Sequence, residues 1–111
     1  MLTIMDRLPL SRTTTEALRI LGDSIRVARL RRGWSVRQLA ERIGVSHPTV
    51  LKVERGDPTV AIGTALEAAG LLGIALFGDA DARERYGAHK RTELALLPAA
   101  GRNRSVVDDD F

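Results

Sequence analysis

The chain has 111 residues, with 17 lysines and arginines, 14 acidic residues and no cysteine. This length suits one small domain with short extensions, because domains cluster at about 100–150 residues. The absence of cysteine excludes disulfides, thiolate nucleophiles and thiolate-bound metals. The only histidines, His47 and His89, lie far apart in sequence, so we expect no metal site and no cofactor.

Two features of the sequence bear on its compartment. No segment approaches the roughly 20 consecutive apolar residues that a membrane helix needs. Residues 1–9 include Asp6 and Arg7 and lack a small-residue cleavage site, so they do not match a secretory leader. The sequence therefore predicts a cytoplasmic protein.

The positive charge is concentrated in the first half of the chain. Residues 1–56 hold 11 Lys+Arg and 5 Asp+Glu, a net of +6, whereas residues 57–111 hold 6 and 9, a net of −3. Ten of the eleven cations in the first half are arginines, and their planar guanidinium groups suit phosphate oxygens. The imbalance indicates nucleic acid as a partner, and with it a place at the nucleoid, or equally a solvated helix face.

Apolar residues recur at three- and four-residue steps over residues 13–32, which predicts a first helix after an N-terminal arm, residues 1–12. Thr13 and Glu16 have the spacing of a capping box and mark its predicted start. Gly33 marks its end, and Gly22 inside it disfavours the helix slightly.

Two short helices follow. A second helix is predicted between a Ser35 cap and Gly44, and a third between a Ser46 cap and Gly56. Pro48 is tolerated as the second residue of the third helix, because the amides of a first turn have no partner within the helix.

A fourth helix is predicted from a Thr59 cap to Gly70, and Gly63 in its interior suggests a close approach of another helix. Residues 74–77 lie between two glycines and predict a short strand. Because a lone strand leaves its backbone unpaired, the strand either pairs with its twin in a second chain, which we favour, or is an extended apolar plug.

The C-terminal third is less regular. A charged helix is predicted over residues 81–92 with an interruption at Gly87, followed by a small apolar anchor, Leu94–Leu97. Residues 99–111 end in Asp-Asp-Asp-Phe and have the composition of a mobile tail. This tail is either a solubilising terminus or a peptide that docks on a partner.

The second and third helices, joined by Ile-Gly-Val-Ser at residues 43–46, have the pattern of a helix-turn-helix. Gly44 allows the sharp turn, Val45 fills the angle between the helices, and the small Ala40 admits a close crossing beside Leu39 and Val50. The exposed face of the third helix then fits a DNA major groove about 12 Å wide, while the second helix crosses the phosphate backbone.

Three strings make this sequence resemble the Xre family of helix-turn-helix regulators: LGDSIRVAR (21–29), GWSVRQLAERIGVS (33–46) and VERG (53–56). The resemblance spans residues 20–74 and implies an all-α, lambda-repressor-like fold of four to five helices. It also implies a buried ion pair between Arg29 and Glu54 that holds the domain together. Two unrelated surface charges are the alternative.

The resemblance, carried over position by position, assigns DNA contacts to the starts of the second and third helices. Contacts with bases and phosphates fall on Ser46, His47, Thr49 and Lys52. Contacts with a phosphate near a helix N-terminus fall on Ser35, Arg37 and Gln38. Weaker contacts with the DNA backbone fall on Arg55 and Arg42.

Some of these positions have a second interpretation. Val36 stands where the family often has a glutamine, which puts the base contacts in doubt and leaves an apolar contact with a thymine methyl as a substitute. His47 is alternatively a capping or solvent-facing residue. We expect Trp34 to cover the core rather than stack on single-stranded bases, and we assign no role to Tyr86.

Residues after the DNA-binding domain are similar to HipB-type antitoxins, through LLGIALFG (71–78), a charged helix, LALLP (94–98) and the acidic end. This resemblance implies a homodimer formed through the strand residues Ile74, Ala75, Leu76 and Phe77. It also implies a repressor that autoregulates a type II toxin–antitoxin operon and neutralises a HipA-type serine/threonine kinase toxin.

Two rival functions stay open at this point: a stand-alone Xre-family regulator, and a kinase-inhibiting interaction module for which DNA binding is incidental. We do not expect an enzyme, because the chain lacks cysteine, paired histidines, a Gly-rich phosphate loop and a convergent carboxylate pair. The expected organisation is an arm at 1–12, a DNA-binding domain at 13–78, a helical extension at 79–98 and a tail at 99–111.

Overall fold

The structure, a computed structural model, describes residues 9–98. Its elements are five helices: α1 (Arg12–Arg31), α2 (Val36–Ile43), α3 (His47–Arg55), α4 (Ile62–Leu71) and α5 (Ala80–Leu96). Within the described range the fold is therefore all-helical, as predicted. The chain divides into two compact units between Leu76 and Phe77, with α1 to α4 in the first unit and α5 in the second. No helix between residues 9 and 98 is long and apolar enough to cross a membrane.

The core of the first unit is small and aliphatic. Ile25, Leu39 and Val50 are fully buried, and they come from α1, α2 and α3 respectively. Burying each such side chain stabilises the fold by about 1.5–3 kcal/mol, so their contact fixes the mutual orientation of the three helices. Ala68, Ala69 and Leu72 close the core from the side of α4.

α1 begins at a different cap from the one predicted. Ser11 is the N-cap, and its Oγ accepts a hydrogen bond from the Thr14 amide at 3.2 Å. The predicted capping box of Thr13 and Glu16 is therefore wrong. Serine caps a helix as well as threonine does, and a start at Ser11 brings Arg12 and Thr13 into the helix.

α2 and α3 begin and end where the sequence predicts. Ser35 Oγ accepts from the Gln38 amide at 3.1 Å, and Gln38 Oε1 accepts from the Ser35 amide at 2.8 Å. Ser46 Oγ accepts from the amide three residues further on, at 3.3 Å. Both helices end at glycines with positive φ, 72° at Gly44 and 73° at Gly56, a conformation that glycine adopts without steric cost.

Two predictions about α4 are wrong. The Thr59 amide and hydroxyl both donate to Asp57 Oδ1, at 2.8 and 2.6 Å, so this threonine belongs to a turn before the helix. The helix starts at Ile62, and its N-cap residue, Ala61, provides no side-chain hydrogen bond. Gly63 marks no close approach, because a Cβ placed there meets no atom within 4 Å.

Residues 74–77 form no strand, so this prediction is also wrong. The Ile74 amide donates to the Ala69 carbonyl at 2.9 Å, which satisfies a carbonyl at the end of α4. Ile74 and Leu76 pack against the core, and Phe77 has a φ of 60°. A strand needs a second strand along its edge, and residues 9–98 of this one chain contain no strand that could pair with this segment. The segment is instead the apolar plug considered above.

In the second unit, α5 continues through Gly87 to Leu96, with 17 residues and none of them buried. Leu94 and Leu96 are 59% and 80% exposed, so the predicted apolar anchor at 94–97 is not buried in the described part of this chain. Residues 94–96 belong to the last turn of α5, and Leu97 is its C-cap. Phe77 stacks on Tyr86 with ring centroids 5.9 Å apart. Residues 1–8 of the predicted arm and the whole predicted tail, 99–111, lie outside the described residues.

Candidate nucleic-acid interface

The turn between α2 and α3 is closed by backbone hydrogen bonds. Gly44 adopts φ 72° and ψ 35°, and its amide donates to the Ala40 carbonyl. The Val45 amide donates to the same carbonyl at 3.0 Å, and the Val45 side chain packs against the core. The two helices are thus held at a defined angle by a left-handed glycine and an apolar plug, which is the arrangement that the sequence predicts.

α3 is pressed against α1 at a glycine. A Cβ placed on Gly22 would lie 2.5 Å from the carbonyl oxygen of Glu54 and 2.8 Å from that of Val53. No real Cβ approaches a backbone oxygen so closely, so only glycine allows this approach of the two helices. From the sequence alone, Gly22 is expected only to lower the helix propensity of α1. The close contact involves a distant part of the chain and leaves no local pattern.

A buried ion pair holds the end of α3. Arg29 Nε lies 2.6 Å from Glu54 Oε2 and Arg29 Nη2 lies 3.0 Å from Glu54 Oε1, with side chains 7% and 6% exposed. Arg29 Nη1 also donates to the Trp34 carbonyl at 2.8 Å. The hydrogen bonds that Arg29 donates to the Glu54 carboxylate raise the pKa of Arg29. The pair that the resemblance implied is therefore present, as a two-pronged contact of the stronger kind.

The candidate DNA-contacting residues lie at the start of α2 and along α3. Most of them are exposed: Ser35, Arg37, Gln38, Ser46, His47, Lys52 and Arg55. Thr49 is half-buried. Within residues 9–98, the side chains of Arg37 and His47 make no hydrogen bond or ion pair, so both can engage a ligand without losing an existing contact.

Four candidates, Ser35, Gln38, Ser46 and Thr49, already have a structural role at a helix start. Ser46 Oγ and Thr49 Oγ1 lie 2.8 Å apart, and Ser46 also accepts from the Thr49 amide. Gln38 uses Oε1 in the capping box of α2, which leaves its two amide N–H donors for a ligand. A substitution at Ser46 or Gln38 therefore changes the helix start as well as any contact with DNA.

An acidic residue borders the cations at the end of α3. Hydrogen bonds from the Thr59 hydroxyl and amide hold the pKa of Asp57 below its usual value, and the positive charges of Lys52 and Arg55 add to this effect. Asp57 thus partly offsets the positive field at this end of α3.

Two further candidates, Arg42 and Val36, already contact other side chains of the domain. The Arg42 guanidinium lies 4.2 Å from the centroid of the Trp34 ring, a cation–π contact worth about 0.5–1 kcal/mol at an exposed site. Val36 is half-buried against the core. Trp34 itself is partly buried there, which agrees with its predicted role in covering the core.

The described residues contain no group of histidine and carboxylate side chains that could hold a metal ion. His89 lies on α5 with Nε2 3.8 Å from Glu93 Oε2, and both side chains are at least half exposed.

Comparison with known proteins identifies the class of this domain. Residues 25–77 match the family described as Helix-turn-helix, so the chain contains a helix-turn-helix domain of the type found in DNA-binding transcription regulators. The match confirms the helix-turn-helix part of the resemblance.

A protein of Thermococcus kodakarensis, whose name describes it as a candidate HTH-type transcriptional regulatory protein, is 38% identical over 50 residues. These residues are 45% of this chain and 16% of that protein, so the chain spans less than a fifth of the length of this relative. No solved structure matches the chain.

Proposed function

We propose that the protein is a dimeric, sequence-specific DNA-binding repressor that controls its own operon. The observation that carries this proposal is the exposed first turn of α3, a helix that two contacts at its last turn hold against α1. The Gly22 contact presses α3 against α1, and the Arg29–Glu54 pair ties its end to the same helix. A helix held in this way can enter a major groove without a loss of conformational freedom.

The proposed contacts follow from the exposure and chemistry of each side chain. His47 and Lys52 are exposed donors on α3 and contact base edges or phosphates. Ser46 and Thr49 stand at the same helix start and add shorter contacts. Arg37, with Ser35 and Gln38, holds a phosphate at the start of α2, where the helix dipole favours an anion. Arg55 makes a weaker contact with the DNA backbone.

Dimerisation sets the spacing of the two recognition helices. In a symmetric dimer they would enter the DNA about 34 Å apart, one helical turn, on a palindromic site. Phe77, the first residue of the second unit, is 71% exposed, and it is our candidate for an apolar contact between the two chains.

We further propose that the protein is the antitoxin of a HipA-type kinase. Support comes from the resemblance of residues 71–78 and 94–98 to HipB-type antitoxins and from the solvent exposure of α5. This helix has no buried residue, and its last turn exposes Leu94, Leu96 and Leu97. Such an apolar end is suited to a protein partner. A stand-alone regulator and a kinase-inhibiting module for which DNA is incidental are the competing functions.

The DNA-binding proposal is tested by selecting duplexes from a randomised library with the full chain. We expect one enriched palindrome with half-sites about 10 base pairs apart. On this duplex, Arg37→Ala and Lys52→Ala should each weaken binding about tenfold, and Arg85→Ala on α5 should change it less than twofold. A selection that enriches no sequence would refute the proposal.

The antitoxin proposal is tested by adding the protein to a HipA-type kinase and measuring autophosphorylation. We expect inhibition by the wild type, inhibition by Lys52→Ala, and its loss in Leu94→Asp/Leu96→Asp, which should still bind the selected duplex. No inhibition by the wild type, with an intact DNA site, would identify a stand-alone regulator. Inhibition without any selected DNA site would identify the interaction module.

A further inference from the structure

An apolar groove runs along the first unit on a surface that the proposed function does not use. It has a volume of about 400 Å³ and lies between the start of α1, the α3–α4 connection and α4. Its lining is almost entirely aliphatic and includes Leu18, Leu21, Val53, Val60 and Leu66.

Part of this groove is open to solvent. Ile62 is 78% exposed, Leu66 is 37% exposed and Leu10 is 47% exposed, although all three line one cavity. An exposed aliphatic patch is unfavourable in water by about 25 cal/mol for each square ångström. A cover for the groove would therefore stabilise the domain.

We propose that the N-terminal segment of this chain, residues 1–8, covers this groove. Leu10, which lines the groove, immediately precedes the N-cap of α1. Only Pro9 separates residues 1–8 from Leu10, so this segment ends at the edge of the groove. Eight extended residues span up to about 26 Å, which is the length of about 17 residues of α-helix and exceeds that of α4, with its 10 residues.

The composition of the segment matches the groove. Residues 1–8 are Met-Leu-Thr-Ile-Met-Asp-Arg-Leu, in which five of the eight side chains are apolar. Its two charged residues, Asp6 and Arg7, have opposite signs, so its side chains carry no net charge. The groove also has one ionised border residue, Asp57, whose pKa is held below the usual value. A mainly apolar segment without net side-chain charge therefore complements an apolar groove, and Arg7, three residues from Leu10, has the charge opposite to that of Asp57 at the rim.

The absence of cysteine from the chain makes a cross-linking test clean. The full chain would carry Ile4→Cys with Leu66→Cys in the groove, or Ile4→Cys with Val27→Cys as the matched control. Val27 is 45% exposed and lines a different depression on α1. Under mild oxidation we expect an internal disulfide at least tenfold faster in the first pair.

Mixing tagged and untagged chains shows whether the disulfide joins one chain or two. Equal rates for the two pairs would overturn the proposal. A disulfide that forms mainly between two chains would also overturn it and would assign the groove to a second copy.

A stability measurement keeps the proposal testable if the cysteine variants misfold. Ile4→Asp should lower Tm by at least about 4 °C, the shift that corresponds to 1 kcal/mol in a domain of this size, and Thr3→Asp should leave it unchanged. Equal Tm values for the two variants would contradict the proposal. So would a loss of DNA affinity in Ile4→Asp without any change in the Tm of the free protein, which would assign the segment to DNA.

Discussion

The buried pair of Arg29 and Glu54 illustrates how single residues hold this domain. Removing one partner leaves the other charge buried without compensation, which typically costs about 3–5 kcal/mol. We predict that Glu54→Gln and Arg29→Met each lower the free energy of unfolding by this amount in urea titrations at neutral pH. Glu67→Gln on the exposed side of α4 should change it by less than about 0.5 kcal/mol.

The double variant Arg29→Met/Glu54→Leu separates the loss of an ion pair from the burial of a lone charge. We expect it to be more stable than either single variant, because no uncompensated charge then remains. Additive losses in the double variant would contradict this account.

Asp57 makes the stability of the domain depend on pH in the acid range. Its hydrogen bonds with Thr59 keep its pKa in the folded chain below the usual value of 3.8. Its contribution to stability is therefore complete above the unfolded pKa and is lost as the pH falls through the lower folded pKa. Asp57→Asn should flatten the decline in stability below about pH 4, measured by urea unfolding at a series of pH values. An unchanged slope would contradict this prediction.

At the scale of helices, two helical glycines give opposite predictions. Gly22 lies in the middle of α1 against the carbonyls of α3, whereas Gly63 is the second residue of α4 and has open space around it. Gly63→Ala should stabilise the protein by about 0.4–1 kcal/mol through helix propensity and the entropy of the unfolded chain. Gly22→Ala should destabilise it by more than 1 kcal/mol, since α1 and α3 must separate.

Thermal unfolding of the two variants beside the wild type checks this pair. A Gly22→Ala variant as stable as Gly63→Ala would mean that α1 and α3 are not in close contact. The position and angle of α3 would then have a different cause.

The same two glycines show what the sequence could predict and what it could not. The boundaries of α2 and α3 depend on local caps, such as Ser35 and Gly44, and they were predicted correctly. Gly63, not Gly22, was predicted to mark a close approach. Whether a helical glycine faces another backbone depends on residues about 30 positions away, and a single sequence carries no record of that contact.

The remaining errors arose where neighbouring residues compete for one role. Ser11 and Thr13 can both cap α1, and Thr59 can either cap α4 or close the turn with Asp57. Residues 74–77 have the composition of a strand, but an extended segment without a partner is more stable as a cover for the core. The candidate DNA contacts came from the resemblance, and the structure adds that Arg42 and Val36 are already engaged elsewhere.

For the whole molecule, the separation of charge predicts how DNA binding depends on salt. Each neutralised phosphate releases counterions, so the affinity falls linearly on a logarithmic scale with salt concentration. Arg37→Ala should reduce the slope by about one, because this arginine is assigned to a phosphate. Arg85→Ala in the second unit should leave the slope unchanged. Fluorescence anisotropy with the selected duplex between about 50 and 200 mM salt measures both, and equal slopes for the two variants would contradict the assignment.

The central claim is that the exposed start of α3 contacts bases in the major groove, and atomic substitution in the DNA tests it most directly. In the selected duplex, 7-deazaguanine removes N7 from the major groove and inosine removes the amino group from the minor groove. We predict that 7-deazaguanine at contacted guanines weakens binding at least fivefold, within the 1–3 kcal/mol of a base contact, and that inosine changes it less than twofold. The reverse pattern would contradict the account. So would a duplex in which neither guanine substitution, nor uracil in place of thymine, changes the affinity.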